Sequence, residues 1–194
     1  MIGVLLVLLA VASVTDILWG RIPNKITYSG MIGGLGLNAL GTLLVQLGWA
    51  KYSQLGAMGW VGIDRSLLGF LVCGLVMLAC YVFFNIGGGD VKLIAMMGAF
   101  LGPERGVTAM LWTFVLGACF GLIVLVWRVG PWQLVTRGGR HLLWSIRLGR
   151  WDPLTPEERA QLQPPLFLAP SAWIATVIVA FDLVERYVLA VGID

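Results

Sequence analysis

Long runs without a charged residue are the feature of this sequence that most restricts its fold. Ser66–Phe84 carries no charge, and other apolar stretches lie at Ile2–Leu18, Ile26–Leu47 and Gly106–Trp127. A helix needs about 20 apolar residues to cross the hydrocarbon core of a bilayer. Composition agrees, because only 12% of the residues are charged, whereas a soluble domain carries about 25%. The sequence therefore predicts an all-α polytopic membrane protein.

We predict one membrane-embedded domain over residues 1–194, a bundle of about six transmembrane helices. The predicted spans are Ile2–Leu18, Ile26–Leu47, Leu67–Phe84, Val91–Leu101, Gly106–Trp127 and Leu166–Phe181. The fourth is too short to cross alone, so its helix must include part of the preceding glycine turn or continue into Pro103. The loop Gly48–Arg65 is expected to hold a short interfacial helix, with Trp49, Tyr52 and Trp60 as interfacial anchors.

The placement of Lys and Arg predicts the orientation. These residues concentrate in cytoplasmic loops, and an outside N-terminus puts nine of them on the cytoplasmic side against four on the other. The long hydrophilic segment Arg128–Pro165 then becomes a cytoplasmic Arg-rich loop, whose expected contact is anionic lipid; its role stays open. The Asp16–Asn24 hairpin and the Gly87–Lys92 turn share the same cytoplasmic face.

Several classes of site lack support in the sequence. The cysteines Cys73, Cys80 and Cys119 lie inside apolar segments without a CxxC pair, so we interpret them as core or lipid-facing residues. We expect no metal and no cofactor, because no His/Cys cluster has metal-ligand spacing. Nucleic acid is not an expected partner either, since no basic run is interleaved with aromatic residues.

Two carboxylates stand at predicted helix ends. Asp16 closes the first helix and Asp90 begins the fourth, so both can lie in one layer of the bundle. Two neighbouring carboxylates in a low-dielectric site cannot both ionise cheaply, and they share a proton and titrate as a unit. An aspartic protease uses this arrangement: one carboxylate takes a proton from the attacking water, and its protonated partner hydrogen-bonds the peptide carbonyl.

Gly87, Gly88 and Gly89 precede Asp90 directly. They permit backbone conformations closed to other residues, and we expect their lack of side chains to let a substrate backbone approach the carboxylate. The structural alternative is a turn that ends one helix, with Asp90 capping the next.

Four more residues complete the candidate site. Arg21, Pro23 and Asn24 are expected to shape the hairpin that holds Asp16, with substrate contact as the alternative. Lys92 stabilises an ionised carboxylate, binds a carboxylate of the substrate, or extends to the membrane interface; the sequence leaves these alternatives open.

The two motifs together resemble a known family. Gly87-Gly88-Gly89-Asp90, followed by Val91-Lys92-Leu93, resembles the GxGD signature of the type IV prepilin peptidases, polytopic aspartic proteases of the membrane. Asp16-Ile17-Leu18-Trp19-Gly20-Arg21-Ile22-Pro23-Asn24 is similar to the family's first catalytic aspartate and the Arg/Lys-Ile-Pro-Asn sequence that follows it. The Pro- and Ala-rich stretch Pro164–Ala175 is similar to the family's last helix.

This resemblance implies a function. Asp16 and Asp90 would be a metal-independent catalytic dyad that cleaves the N-terminal leader of type IV prepilins or pseudopilins at the cytoplasmic face of the cell (inner) membrane. The expected partners are the substrate helix and the lipid bilayer. Long-form members also carry an N-terminal CxxC region and methylate the product. Because this sequence starts at the first helix and has no CxxC, it resembles the short, peptidase-only forms.

A small transporter that couples transport to protons or cations through Asp16 and Asp90 is the competing hypothesis. The depth of the two carboxylates in the membrane distinguishes the peptidase from the transporter. A relay needs carboxylates near the middle of the membrane, whereas both predicted positions lie at helix ends.

Overall fold

The computed structural model describes residues 1–84, 86–129 and 168–183, and all structural statements refer to them. They form helices without strands, in the order α1 Ile2–Trp19, α2 Asn24–Gln46, α3 Tyr52–Ala57, α4 Ile63–Phe84, α5 Gly88–Val129 and α6 Leu168–Ala180. Four of these helices, α1, α2, α4 and α5, are long and apolar enough to cross a membrane, and α6 is a shorter apolar helix. The predicted all-α polytopic membrane fold is confirmed.

The chain divides into two compact units, Met1–Leu116 with Phe167–Asp194, and Gly117–Leu166. The described part of the second unit is the C-terminal end of α5. The first unit contains both candidate aspartates. That the whole chain forms one membrane domain stays a prediction, and the Arg-rich loop beyond Val129 lies outside the described residues.

The hairpin between α1 and α2 turns on a glycine and a proline. Gly20 ends α1 in the left-handed conformation, with φ 59°, and its N–H donates to the Asp16 carbonyl at 2.8 Å. Glycine suits this position because it has no Cβ to clash. Pro23 is extended, with φ −64°, and precedes the first residue of α2. Pro23 therefore separates the two helices, as predicted.

Helix α5 is interrupted where Gly102 precedes Pro103. Gly102 has φ 77° and ψ −178°, which breaks the helix into segments 88–101 and 103–129. The first segment rises about 21 Å at about 1.5 Å per residue, short of the roughly 30 Å hydrocarbon core. It includes part of the glycine turn and runs to Pro103, as the sequence predicted for a short fourth helix.

The first segment of α5 forms the centre of the core. Its residues Leu93–Leu101 are buried, and its largest fully enclosed side chain is Phe100. The same cluster contains side chains from the surrounding helices, namely Leu5, Leu9, Ala12, Cys73, Met77, Ala169 and Ala172. The central segment is therefore shielded by its neighbours, while the outer helices keep exposed apolar faces suited to lipid.

Glycines allow the outer helices to approach this central segment. A Cβ added to Gly34 of α2 would lie 2.9 Å from the Phe100 ring. Gly69 of α4 and Gly98 of α5 face each other backbone to backbone, with no room for a side chain on either. Small residues at helix crossings are the usual means of close packing in membranes.

Trp60 corrects one prediction for the loop before α4. Trp49 and Tyr52 are 80% and 70% exposed, as interfacial anchors would be, but Trp60 is only 8% exposed. Its Nε1 donates to the Asn38 carbonyl at 3.1 Å. The prediction of Trp60 as an anchor was wrong because Gly41 leaves space for the indole against α2, where a Cβ would lie 2.6 Å from the ring.

Candidate active site

Asp16 and Asp90 lie at the same end of the helical unit. Asp16 is in the last turn of α1, and Asp90 is in the first turn of α5. The two carboxyl groups are close enough to interact electrostatically. Asp16 is 7% exposed and Asp90 is partly exposed. Both occupy helix ends, and neither lies in the middle of an apolar helix as a transmembrane proton relay would require.

The carboxylate of Asp16 is held by the last described helix. Its Oδ2 accepts a hydrogen bond from the backbone N–H of Ala169 at 3.3 Å. Helix α6 lies against α1, where Trp173 donates from Nε1 to the Leu6 carbonyl at 3.1 Å. Buried alanines such as Ala172 permit this close approach. Sequence reasoning missed the contact; the only signal for it was the alanine-rich composition of the last predicted span.

Asp90 is reached from the side of the glycine turn. Its backbone N–H donates to the Gly87 carbonyl at 3.0 Å, which closes the first turn of α5. Gly87 and Gly88 are exposed. A Cβ on Gly87 would lie 3.0 Å from Oδ2 of Asp90, so any side chain there would press on the carboxylate. Lack of a side chain therefore keeps Asp90 accessible.

The glycines before Asp90 do not use the left-handed backbone conformations that their lack of a Cβ permits. Among the described glycines, φ is positive at Gly20, Gly48, Gly59, Gly62 and Gly102, but not in the turn before Asp90. The turn enters α5 with ordinary backbone angles, because Asp90 lies inside the first helical turn and does not precede it. What the glycines supply is space: Gly89 lies against Ile22, with 3.3 Å from a Cβ position to the Ile22 Cβ.

Lys92 connects the second motif to the hairpin of the first. Its Nζ donates to Oδ1 of Asn24 at 2.9 Å and lies 4.7 Å from the centre of the Tyr28 ring. Within the described ranges the one salt bridge joins Arg105 and Asp182, so Lys92 is paired with neither Asp16 nor Asp90.

The remaining site candidates lie in the hairpin after Asp16. Pro23 is half-buried there, whereas Arg21 and Asn24 are exposed. No cluster of three His, Cys, Asp or Glu side chains suited to a metal occurs in the part of the chain that the structure describes.

These features define a class of protein. Two carboxylates at one end of an apolar helical unit, one buried and the other open beside glycines, form a candidate acid–base site at the edge of a membrane-spanning bundle.

Comparison with known proteins identifies the family. Residues 3–122 match the type IV leader peptidase family, and the chain belongs to it. The match covers both Asp16 and Asp90.

Relatives with curated names share this similarity. A prepilin leader peptidase/N-methyltransferase of Aeromonas salmonicida is 27% identical over 146 residues, which cover 67% of this chain and 44% of the relative. A protein of the same name from Bacillus subtilis is 31% identical over 115 residues, covering 59% of this chain and 40% of the relative. The chain thus spans less than half the length of these relatives. No solved structure matches.

Proposed function

We propose that this protein is a membrane aspartic endopeptidase that removes the N-terminal leader of type IV prepilin-like or pseudopilin substrates at the cytoplasmic face of the inner membrane. The observation that carries the proposal is that Asp16, in the last turn of α1, and Asp90, in the first turn of α5, lie at the same end of the helical unit, within electrostatic range of each other. Membership of the type IV leader peptidase family supports the substrate class.

The proposed chemistry uses the two carboxyl groups as a general base and a general acid. Like charges at short range disfavour double ionisation, so the pair holds one proton between them. The ionised member takes a proton from a water molecule as the water oxygen attacks the scissile carbonyl carbon. The protonated member hydrogen-bonds the carbonyl oxygen and stabilises the developing charge.

Access to the pair suits an extended peptide. Gly87 and Gly88 are exposed beside Asp90, so a substrate backbone meets no side chain on that approach. The aspartates lie at the ends of apolar helices, which is where the junction between a polar leader and a membrane-embedded substrate helix would lie. The scissile peptide bond at that junction would therefore reach the two aspartates without any unwinding of the substrate helix deep in the bilayer.

The distribution of positive charge supports a cytoplasmic site. Arg21, Lys25 and Lys92 all lie at the aspartate end of the helices, and Lys and Arg are enriched on the cytoplasmic side of membrane proteins. A membrane-impermeant thiol reagent tests this in protein whose own cysteines are replaced by alanine. Lys25→Cys should be labelled from the cytoplasmic side, and Lys51→Cys, at the other end, from the opposite side. Labelling in the reverse sense would contradict the orientation.

Cleavage itself is tested with the purified protein in proteoliposomes. We expect it to cut a purified type IV prepilin once, and mass spectrometry of the product should place the new N-terminus at the start of the hydrophobic helix. A chelator should leave the rate unchanged, because the proposed chemistry uses carboxyl groups alone. Absence of cleavage by folded protein, or abolition by the chelator, would contradict the proposal.

A further inference from the structure

A cavity lies at the end of the helices opposite the aspartates. It has a volume of about 300 Å³ and lies between the second segment of α5 and the last turns of α6. Helix α6 begins beside Asp16 and ends at this cavity. The residues that line it belong to the first compact unit. They lie in neither sequence motif, and the proposed peptidase chemistry does not use them.

Three charged side chains line the exposed part of this cavity. Nη2 of Arg105 donates to Oδ2 of Asp182 at 3.4 Å, and the two side chains are 49% and 42% exposed. Glu104, which is also exposed, supplies a second carboxylate. The ion pair is longer than the roughly 2.7–2.9 Å of a strong charge-assisted hydrogen bond, and exposed pairs contribute little to stability. A ligand can therefore take over the contacts of Arg105 at small cost.

The lining of the cavity becomes apolar toward the middle of the helices. Glu104, Thr108 and Trp112 follow at intervals of four residues, so they lie on one face of α5. Trp112 lies about 12 Å along the helix from Glu104, at about 1.5 Å per residue. On α6, Ile178 precedes Asp182 by about one turn. Both helices therefore place charge at the end of the cavity and apolar side chains deeper.

This pattern matches the chemistry of a phospholipid with a zwitterionic headgroup. The planar guanidinium of Arg105 can bind a phosphate through two N–H donors. The carboxylates of Glu104 and Asp182 suit an ammonium group that carries N–H donors. A headgroup with a phosphate and no cation would instead bring negative charge against both carboxylates, which is unfavourable.

We propose that this cavity binds one phospholipid with an ethanolamine headgroup, from the leaflet opposite the aspartates. Arg105 holds the phosphate, and Glu104 and Asp182 hold the ammonium. The acyl chain begins beside Trp112 and Ile178. The lipid contacts α5 and α6 together and so joins the two helices at the end remote from the aspartates. This binding does not depend on the proposed peptidase activity.

Native mass spectrometry of the purified chain in detergent micelles tests the proposal. The probes are phosphatidylethanolamine, phosphatidylcholine and phosphatidylglycerol with identical acyl chains. We expect one phosphatidylethanolamine to bind with an apparent Kd about tenfold lower than that of either other lipid, as for one additional hydrogen bond to a charged group. Choline has no N–H donor, and the glycerol headgroup has no cation. Equal apparent Kd values for the three lipids would overturn the proposal.

A soluble headgroup shows whether the ligand is a membrane lipid. Glycerophosphoethanolamine has the same phosphate and ammonium groups but lacks acyl chains. It should not displace bound phosphatidylethanolamine at the same concentration, because it leaves the apolar part of the cavity without contacts. Displacement at equal concentration would overturn the assignment to a lipid.

Variants distinguish this cavity from the rest of the lipid-facing surface. Arg105→Gln should raise the apparent Kd for phosphatidylethanolamine about tenfold. Arg65→Gln is the matched control, because Arg65 is exposed near the break at Gly102 and does not line the cavity. Glu104→Gln should abolish the preference over phosphatidylglycerol, since it removes a carboxylate that repels an anionic headgroup. Asp64→Asn, in the first turn of α4, controls for loss of a carboxylate.

Two results with these variants would overturn the proposal: equal apparent Kd values for Arg105→Gln and Arg65→Gln, or an unchanged lipid preference in Glu104→Gln. If Arg105→Gln does not accumulate, Glu104→Gln decides alone, because it leaves the ion pair between Arg105 and Asp182 in place. These measurements do not use prepilin cleavage. Failure of the protein to cleave prepilin would count against the proposed function and leave the lipid site unaffected.

Discussion

Lys92 and Asn24 are joined by a hydrogen bond of 2.9 Å from Nζ to Oδ1. The two residues belong to different motifs, one after Asp90 and the other at the end of the hairpin after Asp16. Together with the contact of Gly89 on Ile22, this bond holds the start of α5 against the start of α2. The relative placement of the two aspartates therefore depends on side chains that touch neither of them.

Removal of this bond should lower activity without abolishing it. We expect Lys92→Met and Asn24→Ala each to reduce kcat/KM about three- to tenfold, because a partly exposed hydrogen bond contributes about 0.5–1.5 kcal/mol. The double variant should have a kcat/KM no lower than that of the less active single variant, because both substitutions remove the same interaction. Lys25→Met loses the same charge one residue after Asn24 and should behave as wild type. Additive losses, or complete inactivity of Lys92→Met in folded protein, would contradict a positioning role.

A side chain on Gly87 should disturb Asp90 directly. The Cβ of Gly87→Ala would lie 3.0 Å from Oδ2 of Asp90, so the carboxylate must shift by a few tenths of an ångström. We expect kcat to fall about tenfold, because small misplacements of catalytic groups have effects of this size. Gly88→Ala, whose nearest contact is at 4.0 Å, should show a smaller loss. Gly36→Ala, on the open face of α2, is the control. If Gly87→Ala and Gly36→Ala had the same kcat, the steric argument would be wrong.

Packing at the crossing of α4 and α5 should be intolerant of any side chain. Gly98→Ala would drive a methyl group into the backbone of Gly69, and we expect it to lower the free energy of unfolding by roughly 1–3 kcal/mol or more. Gly33→Ala is the matched control, because nothing lies within 4 Å of its Cβ position. Chemical unfolding in detergent micelles measures the difference. Equal stability of the two variants would show that the helices separate there at little cost.

Asn38 should be important for stability at the end remote from the aspartates. Its amide donates to the Ala99 carbonyl at 3.2 Å, and its Oδ1 accepts the Val61 N–H at 3.1 Å. We expect Asn38→Ala to cost roughly 1–3 kcal/mol of unfolding free energy, since buried groups lose their partners. Ser29→Ala, which removes an exposed bond within one helix, should cost far less. A stable Asn38→Ala protein would mean that water replaces the network.

The helices were predictable because lipid imposes a simple requirement. A run such as Ser66–Phe84 without charge has few alternatives to a spanning helix, and α4 includes it. The break at Pro103 and the separation at Pro23 were predictable as well, because proline lacks the N–H that a helix interior needs. The pairing of the Asp16 and Asp90 ends followed from the alternation of spans across the membrane.

Contacts between distant helices were not predictable from the sequence. The Ala169 amide is a backbone group that no residue pattern reveals, and the buried position of Trp60 depends on space left by Gly41 on another helix. The contribution of the glycines before Asp90 was only partly predictable for a similar reason. Their composition permits unusual backbone angles and open access, but the space that they provide is defined by the positions of Ile22 and the Asp90 carboxylate.

Processing of a co-expressed prepilin by Asp16→Asn, Asp90→Asn and Asp64→Asn tests the central claim most directly. Asp64 is exposed in the first turn of α4, at the far end from the pair, and its variant controls for loss of a carboxylate. We predict that Asp16→Asn and Asp90→Asn each accumulate in the membrane and leave the prepilin uncut, while Asp64→Asn processes it as wild type does. Full processing by either Asp16→Asn or Asp90→Asn would contradict the dyad.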